Sequence, residues 1–584
     1  MRVSIPGVSA PTSDFSFQFG GEEVTALKGD TIASALLNAG HRTCHIAADA
    51  TPRGVFCGMG VCNECMVIVD DEPGRLACMT AAAPGMRVSQ QAGRIDVPPV
   101  APHQPASQLR TPDVLVIGGG PAGLTVAAVA AESGLDVVLV DERSKLGGQF
   151  YKQPHPANVD SEPDLDDQFR AGRALVARTR ASSAMLLNGV SVWGAFSPDS
   201  IRAYGQGTDW TFTPKRVVIA TGATERSVPT PGWTLPGVMM TGAVQTLLRS
   251  HQVSPGMRVL VGGNGPLNMQ VAAELVASGV QVVALVEQAD LRPDRNLRAG
   301  AKMTLNAPTL VMRGVRYRMR LLRNRVPVLD RSVITSVTGS DRAKQATVKR
   351  LIGRTTPGHG GTHVFDVDAV CMGYGFMPQN DIARALGCAH RFDPGTGSLV
   401  TTRSLDGSTS VDNVWVVGDA GRIQGAHVAQ AAGELAAWSI LESFGKAATD
   451  STKASKILAR HGRFQTALGT MYEAAALTTQ LAEPETVVCR CESVSLSSIR
   501  QSFVDGAVTA GASKRVTRAG MGRCQGRYCA ASVAAVAAES ANIPQDEFSS
   551  FAPQAPIRPI EIGKIATSSA RPTTTSKRFG VDRD

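Results

Sequence analysis

Aromatic residues are scarce in this chain: Phe, Trp and Tyr together make up 5% of its 584 residues. Proteins that bind single-stranded nucleic acid stack the bases on aromatic side chains beside a basic groove. The net charge is +9, but the basic residues are scattered and no nucleic-acid-binding motif can be read. The composition therefore predicts no nucleic acid partner, and acidic protein partners account for the charge equally well.

An uninterrupted apolar run of membrane-spanning length is also missing. The longest run, VLVIGGGPAGLTVAAVAA at 114–131, contains four glycines and Pro121, which fit a strand, a turn and a helix better than a span. The N-terminus lacks a charged segment followed by an apolar one, as a secretory signal would have. We therefore expect a cytoplasmic protein that is not an integral membrane protein.

The central region has no CxxC pair that could serve as a dithiol relay. In a reducing cytosol, clustered cysteines hold metal or are buried thiols, and disulfides are disfavoured. Only Cys371 and Cys388 fall within 113–450, with sixteen residues between them, so disulfide reduction is not expected.

The length exceeds what one hydrophobic core supports, and composition divides the chain into several parts. We predict a cysteine-containing domain, a proline-rich linker, an α/β region with a second dinucleotide unit inserted at about 240–365, a helical connection, a second cysteine domain and a C-terminal tail. Their predicted bounds are 1–95, 96–112, 113–450, 451–485, 486–550 and 551–584.

The first cysteine quartet has the spacing CxxxxCxxC followed by twelve residues and a fourth cysteine: Cys57, Cys62, Cys65 and Cys78. Four thiolates are the ligand set of a [2Fe-2S] cluster, and Gly58 and Gly60 let the loop backbone approach the inorganic sulfides. Zinc is the alternative metal, although its sites usually have two CxxC pairs. Cys44 lies outside the pattern and is expected to be a buried thiol. The pattern resembles plant-type ferredoxins, which implies a β-grasp α+β domain.

A dinucleotide-binding pattern begins at residue 113, with a strand, GxGxxG, a helix and a second strand that ends in an acid: Gly118, Gly120, Gly123 and Asp141. The glycines permit the turn, the approach of a pyrophosphate and the packing of the helix on the strand. Asp141 is placed to accept hydrogen bonds from an adenosine ribose.

Three further stretches decide between FAD and NAD at this site: KLGGQFY, RVVIATGATER and NVWVVGDAG. They resemble the loop after the second strand, the ATG motif and the late GD motif of two-dinucleotide-domain flavoproteins of the glutathione reductase type. The resemblance implies that FAD is bound, with Asp419 at the ribityl or phosphate region. It implies these further FAD-binding residues: Gly148, Gln149, Ala220, Thr221, Gly222 and Gly418.

The second dinucleotide pattern, at 257–288, has Gly263, Gly265 and Glu287, but Asn268 replaces the third glycine. A larger side chain there is expected to push the helix from the strand. Glu287 would suit a free 2′-hydroxyl, so NADH or another adenine nucleotide is one interpretation. A structural domain without nicotinamide chemistry is the other.

The second cysteine quartet reads CxC, thirty-two residues, then CxxxxC: Cys489, Cys491, Cys524 and Cys529. It resembles the bacterioferritin-associated ferredoxin domain, a small helical fold that binds [2Fe-2S]. The last pair in that domain is usually CxxC, so the wider spacing is a departure. A zinc site or a domain without a cluster is the alternative.

Together the motifs resemble one family, the FAD and iron-sulfur subunits of heteromeric flavin dehydrogenases. That family includes hydrogen cyanide synthase, opine oxidases, D-hydroxyproline and proline dehydrogenases and the sarcosine oxidase alpha subunit. It implies an oxidoreductase acting on a C–N bond, with FAD and two [2Fe-2S] clusters that convert hydride chemistry to one-electron transfer.

The resemblance also implies two kinds of partner: a second FAD-containing subunit similar to D-amino-acid oxidase, and an electron acceptor that is a protein or a quinone. The alternative function is a self-contained NADH-dependent reductase that passes electrons out through its clusters. No catalytic base is assigned, and His427 is interpreted as a helix-packing residue before a flavin-contacting one.

Overall fold

The computed structural model describes residues 1–9, 13–92, 106–155, 159, 163–358, 360–446 and 451–563. The predicted tail beyond residue 563, most of the predicted linker and the predicted domain boundary at 450 lie outside these residues.

The N-terminal domain is a mixed five-stranded sheet of order β2-β1-β7-β5-β6 with one helix against it. Thr31 begins the helix through a reciprocal capping box with Ser34, and every helix residue but the last is buried. The elements are β1 (Asp14–Phe19), β2 (Glu22–Leu27), α1 (Ile32–Asn38), the hairpin β3 (His45–Ile46) and β4 (Pro52–Arg53), β5 (Met66–Val69), β6 (Glu72–Leu76) and β7 (Arg87–Gln90).

The first dinucleotide unit is a parallel sheet of order β11-β10-β9-β15-β29. Its central strands are apolar on both faces because helices cover one side of the sheet and the antiparallel strands at 190–212 cover the other. The strands are β9 (Val114–Ile117), β10 (Val137–Asp141), β11 (Met185–Asn188), β15 (Arg216–Ile219) and β29 (Val414–Val416), and the helices are α2 (Pro121–Glu132), α3 (Asp167–Ala181) and α9 (Ala426–Ser443).

The predicted linker at 96–112 needs a correction, because its last part is a strand. β8 (Ala106–Arg110) pairs in parallel with β14 (Thr208–Phe212) and so extends a meander that also contains β12 (Val190–Ser197) and β13 (Ser200–Gly205). Its five residues are all exposed, as in an edge strand, so their composition does not distinguish them from a linker.

The second dinucleotide unit is a parallel sheet of order β17-β25-β18-β19-β20 with helices packed on it. Its elements are β17 (Val238–Met240), α4 (Thr241–His251), β18 (Arg258–Gly263), α5 (Pro266–Ala277), β19 (Gln281–Glu287), α6 (Pro293–Asn306), α7 (Pro308–Arg323), β20 (Val328–Leu329) and β25 (Ala369–Gly373). Smaller elements complete the region: β16 (Ala223–Glu225), β21 (Ser332–Thr338), β22 (Gln345–Ile352), β23 (Thr356–Pro357), β24 (His363–Asp366), β26 (Phe376–Pro378), α8 (Asp381–Ala385), β27 (His390–Asp393) and β28 (Ser398–Thr401).

The C-terminal part is mostly helical, although the connection predicted as helical over 451–485 is a helix only as far as Met471. The long helix α10 (Thr452–Met471) leads to a domain built from β30 (Val487–Cys489), β31 (Val494–Ser495), α11 (Leu496–Val504), α12 (Ala510–Thr517) and α13 (Ala530–Ala541). The tail predicted from residue 551 needs a correction, since 551–563 packs against the protein. Phe551 lies in the core of the last domain, and the Ile557 N–H donates to the Trp193 carbonyl at 2.6 Å.

One apolar core joins the N-terminal domain to the second dinucleotide unit. The contact is close at the first cysteine loop, where the Met240 N–H donates to the Phe56 carbonyl at 2.9 Å. A Cβ on Gly58 would lie 3.0 Å from the Ala243 Cα of α4. The first cysteine quartet is therefore held against the flavoprotein region. Within the described residues, every helix is too short or too polar to cross a bilayer.

Candidate flavin and iron-sulfur sites

The first glycine loop is packed too tightly for any larger residue at two of its three positions. A Cβ on Gly123 would lie 1.9 Å from the Gly118 carbonyl oxygen, and one on Gly118 would lie 2.4 Å from the Ala220 carbonyl oxygen. Gly118 also has φ of 112°, which favours glycine. Gly120 precedes α2 without a side-chain cap, so the first N–H groups of that helix remain available to an anion.

Two buried or half-buried carboxylates organise the loops around this site. Asp141 accepts hydrogen bonds from the backbone N–H groups of Gly119 at 2.6 Å and Arg143 at 2.8 Å, and burial raises its pKa to about 6. Asp419 accepts from the N–H groups of Gln424 and Gly425 at 2.8 and 3.0 Å, and burial raises its pKa as well. Asp419 thereby shapes the turn that leads into α9.

A cavity of about 1490 Å³ runs from this site to the second dinucleotide unit. Of the fourteen residues predicted to bind a cofactor, eleven line it: Gly118, Gly120, Asp141, Gly148, Gln149, Ala220, Thr221, Gly222, Gly265, Gly418 and Asp419. The other three, Gly123, Gly263 and Glu287, lie behind the lining. The cavity, the uncapped helix and the packed glycines fit a bound FAD.

The second glycine loop is built in the same way as the first. Glu287 is buried and accepts hydrogen bonds from the N–H groups of Gly265 and Ala289, both at 3.1 Å, and burial raises its pKa to about 8. Asn268 is also buried, and it donates to the Gly373 carbonyl at 2.8 Å. A Cβ on Gly373 would lie 2.4 Å from the Asn268 side-chain oxygen. Gly373 on β25, which has no side chain, therefore leaves room for Asn268 at the third position of the glycine pattern.

Residues 472–477 pass over the second glycine loop. Asn264, inside the loop, donates to the Tyr472 carbonyl at 3.1 Å, and Gln288, next to Glu287, donates to the Ala475 carbonyl at 2.8 Å. Leu477 is buried in the core below. This strap thereby bonds one polar side chain inside the loop and one beside Glu287.

Lys152 and Glu225 are two buried ionisable residues on the cavity wall that the sequence patterns did not single out. The Lys152 ammonium donates to Gln245 at 2.8 Å, and one Glu225 oxygen accepts from the Gly242 N–H at 2.8 Å. Burial lowers the pKa of Lys152 and raises that of Glu225, each to about 7. Their only sequence signal was position: Lys152 follows the GGQ loop and Glu225 follows the ATG motif.

His427, interpreted from the sequence as a helix-packing residue before a flavin-contacting one, lines the same cavity in the first turn of α9. Its ring stacks on His461 with centroids 4.7 Å apart. Burial lowers its pKa to about 4, so the ring is neutral at physiological pH.

The first cysteine quartet is arranged as two pairs of neighbouring thiols, Cys57 with Cys62 and Cys65 with Cys78. Burial raises the pKa of Cys57, but hydrogen bonds from the Cys62 thiol and from backbone N–H groups outweigh it and lower the pKa to about 6. Cys44 is a separate, buried, free thiol, and burial raises its pKa to about 12.

The second quartet repeats this pairing with Cys489 beside Cys529 and Cys491 beside Cys524. The extra residues of the CxxxxC segment form a turn in which Gln525 and Gly526 both have positive φ. Gly522 is required beside it, because a Cβ there would lie 2.2 Å from the Cys491 Cβ. With this turn, the CxxxxC segment places Cys524 beside Cys491 and Cys529 beside Cys489 despite its wider spacing.

The pairing bears on which metal the cysteines fit. A binuclear cluster takes two thiolates at each iron, whereas a structural zinc ion takes four ligands in one tetrahedron. Backbone N–H groups point at the sulfurs of Cys57, Cys62, Cys65 and Cys489 at 3.4–3.5 Å. Both quartets fit [2Fe-2S] better than zinc.

The fold and these sites define a flavin-dependent oxidoreductase with added iron-sulfur domains. Residues 112–433 match the family described as pyridine nucleotide-disulphide oxidoreductase, and the chain belongs to that family. Residues 12–93 match a 2Fe-2S iron-sulfur cluster binding domain, and residues 487–539 match a BFD-like [2Fe-2S] binding domain. The predicted multidomain fold class is confirmed.

Among curated proteins, the chain is 30% identical to an opine oxidase subunit of Rhizobium meliloti (strain 1021), over 78% of this chain and 98% of that protein. It is 30% identical to hydrogen cyanide synthase subunit HcnB of Pseudomonas aeruginosa PAO1, over 71% and 90%. A structure of L-proline dehydrogenase from P. horikoshii superimposes with a TM-score of 0.72 at 20% identity, covering 97% of this chain and all of that one. The predicted resemblance and the prediction of an FAD-dependent oxidoreductase are confirmed.

Replacing Gly123 tests the flavin site. Gly123→Val is expected to abolish flavin binding, because a side chain there collides with the Gly118 carbonyl and separates α2 from β9. Flavin released per chain on denaturation measures the effect. The control is Gly300→Ala in α6, where a Cβ meets nothing within 4 Å. Full flavin content in Gly123→Val would contradict the assignment.

Replacing single cysteines tests the clusters. Cys57→Ala is expected to lower the iron content from about four to about two atoms per chain, with an equal loss of acid-labile sulfide. Cys44→Ala removes a buried thiol of the same domain that is outside the quartet, and it is expected to keep all the iron. Equal losses in both variants, or zinc in place of iron, would refute the ligand assignment.

Proposed function

We propose that this chain is the FAD- and iron-sulfur-containing electron-transfer subunit of a heteromeric dehydrogenase or oxidase that oxidises the C–N bond of an amino acid, imino acid or opine. Its relatives are named as subunits of opine oxidase and hydrogen cyanide synthase, which supports a partner chain here. The proposed partner is a second FAD-containing subunit similar to D-amino-acid oxidase, and the location is cytoplasmic. The final acceptor is an electron-transfer protein or a quinone.

One observation carries the electron-transfer role: the loop of the first cysteine quartet forms part of the flavin cavity. Met59, two residues after Cys57, lines that cavity together with Lys152, Glu225 and Gly242. A cluster site that shares a wall with a flavin site suits short-range electron transfer between them.

The proposed cofactors divide the chemistry between them. Bound FAD supplies two-electron hydride chemistry, and an iron-sulfur cluster carries one electron at a time. The chain itself would hold the FAD through the uncapped N-terminus of α2 and the turn at Asp419, and the clusters through the eight paired cysteines. Lys152 and Glu225, whose pKa values lie near neutrality, can hold or release a proton at Nζ or at the carboxyl group as electrons leave this end of the cavity.

The competing function, an NADH-dependent reductase, has one observation in its favour. The second glycine loop retains Gly265 and a Glu287 held by backbone N–H groups, as in the first loop. The strap at 472–477 disfavours it, because Asn264 and Gln288 are already bonded to strap carbonyls. We therefore propose that nicotinamide is not the electron donor.

The surface best suited to a partner subunit is the outer face of the α6–α7 hairpin. Residues 292–325 contain ten basic residues and one acidic residue, a net +9 that equals the charge of the whole chain. The charge excess is therefore concentrated rather than scattered, which corrects the sequence-based expectation. On this face of α7, Met312, Met319 and Leu322 are 42–54% exposed. Methionine and arginine are enriched in protein interfaces, and the charge selects an acidic partner.

An anaerobic reduction experiment tests the function. The isolated chain is expected to keep its oxidised flavin spectrum when NADH is added. The chain purified with its co-purifying flavoprotein is expected to bleach when the right member of a panel of secondary amines, amino acids and opines is added. Rapid bleaching of the isolated chain by NADH would refute the proposal in favour of the reductase.

Charge reversal on α7 tests the docking surface. The double variant Arg316→Glu/Arg320→Glu is expected to weaken association with the partner subunit by about tenfold or more, since like charges now face the acidic surface. Both arginines are exposed and form no ion pair within the described part of the chain. Arg391→Glu/Arg500→Glu makes the same charge change on other exposed sites and is expected to leave association unchanged. Size-exclusion chromatography of the mixed proteins measures it, and equal weakening by both pairs would contradict this surface.

A further inference from the structure

The two cysteine quartets, which are over four hundred residues apart in sequence, touch each other in the fold. The Cys491 sulfur lies 3.8 Å from the Cys62 carbonyl oxygen. Arg490, between Cys489 and Cys491, forms an ion pair with Glu64, between Cys62 and Cys65, with Nη2 2.8 Å from Oε2. Each quartet thus contributes one charged residue to a single contact.

This ion pair is buried on both sides. The side chains of Arg490 and Glu64 are each 3% exposed, and Arg53 lies on the far side of Glu64 with Nε 3.6 Å away. The Arg490 guanidinium donates to the Trp233 carbonyl at 2.6 Å. It also lies over the Phe56 ring at 4.0 Å and the Trp233 ring at 4.8 Å. A desolvated arginine held by these groups has one orientation, and it fixes the second quartet against the first.

Aromatic residues beside the cysteines reinforce the contact. Phe56 precedes Cys57 and Tyr528 precedes Cys529, and their rings meet edge to face with centroids 5.5 Å apart. The Ser227 hydroxyl donates to the Tyr528 carbonyl at 2.7 Å, which ties the second quartet to the flavoprotein region as well.

The two cysteine quartets differ in their contact with the flavin cavity. Met59 of the first quartet loop lines the flavin cavity, whereas no residue of 486–550, all of which the structure describes, lines it. The first quartet loop therefore touches the cavity, and the second quartet touches the first quartet loop. Beyond the second quartet the protein surface begins, with Met521 and Arg518 exposed.

We propose that the redox centres work in series, with electrons passing from the flavin cavity to the N-terminal cluster and from there directly to the C-terminal cluster, and that Arg490 and Glu64 are the positioning residues of this second step. The inference rests on the proposed electron-transfer function and adds the order of the centres. No bond forms or breaks in the step. One ferric ion of the receiving cluster is reduced to ferrous as one ferrous ion of the donating cluster is oxidised, so a single electron moves.

Electron paramagnetic resonance of the full-length protein loaded with both clusters tests the contact. The protein is reduced stepwise with dithionite under anaerobic conditions. The signal of the first cluster to be reduced is expected to broaden or split when its neighbour becomes paramagnetic. Two signals that simply add at full reduction would overturn the proposal.

Two substitutions test the positioning residues, because cluster potentials respond to nearby charge. Arg490→Met removes a positive charge beside the second quartet and is expected to lower the reduction potential of that cluster. Glu64→Gln removes a negative charge beside the first quartet and is expected to raise the potential of its cluster. Both are expected to weaken the magnetic interaction. Arg518→Met removes an exposed arginine of the same domain, paired with Glu492 at 2.8 Å, and is expected to change neither property.

The experiments distinguish failure of the positioning role from loss of a cluster and from failure of the proposed function. If Arg490→Met loses its clusters, the wild-type spectrum and Glu64→Gln still decide the question. Potentials that move in the same direction in both variants, or not at all with clusters intact, would overturn the positioning role. Failure of the proposed function shows instead as flavin bleaching by NADH, which leaves the dithionite measurement unaffected.

Discussion

A pyrophosphate is recognised by backbone N–H groups, and the need to expose them determines how the centre of this protein is built. Gly123 lets α2 approach the Gly118 carbonyl, and Gly118 in turn lies against the Ala220 carbonyl at the end of β15. Two chain segments far apart in sequence, the loop at 118–123 and Ala220, are thereby brought within van der Waals contact. The same construction recurs at the second loop, where Asn268 is accommodated by the absence of a side chain at Gly373. The helix and strand of the second loop therefore pack together although Asn268 replaces the third glycine, because the glycine that allows the close contact is Gly373 on β25.

The iron-sulfur domains are attached to this centre by buried polar contacts as well as by apolar packing. Breaking a buried ion pair by removing one partner costs about 3–5 kcal/mol, because the other charge stays in a desolvated site. Such a contact tolerates few alternative orientations. The pair of Arg490 and Glu64 and the shared core of the N-terminal domain and the second dinucleotide unit therefore favour one arrangement of the domains. A fixed arrangement suits electron transfer, which depends steeply on distance.

Features set by local spacing could be predicted from the sequence. The cysteine quartets, both glycine loops and the acids that end their second strands follow from chemistry within a few dozen residues, and the structure brings most of the predicted flavin-site residues to one cavity. Features that depend on domain contact could not. Lys152 and Glu225, 73 positions apart, line one cavity wall. The strap that begins at residue 472 bonds to Asn264, and Phe551 packs into a core that its composition did not indicate. The spacing of residues within a motif does not indicate which distant segments of the chain pack against each other in the fold.

The burial of the cysteines constrains how the protein is made. Six of the eight quartet cysteines are buried in the finished fold, and the loops of the two quartets cover each other. Iron and sulfide for the proposed clusters would therefore reach the N-terminal site most readily before the last domain packs against the first. During translation residues 1–92 emerge long before residues 486–550, so the N-terminal site has a period in which its loop is open to a cluster donor. A chain that completes its fold before that delivery would seal an empty site inside itself, and only partial unfolding would reopen it.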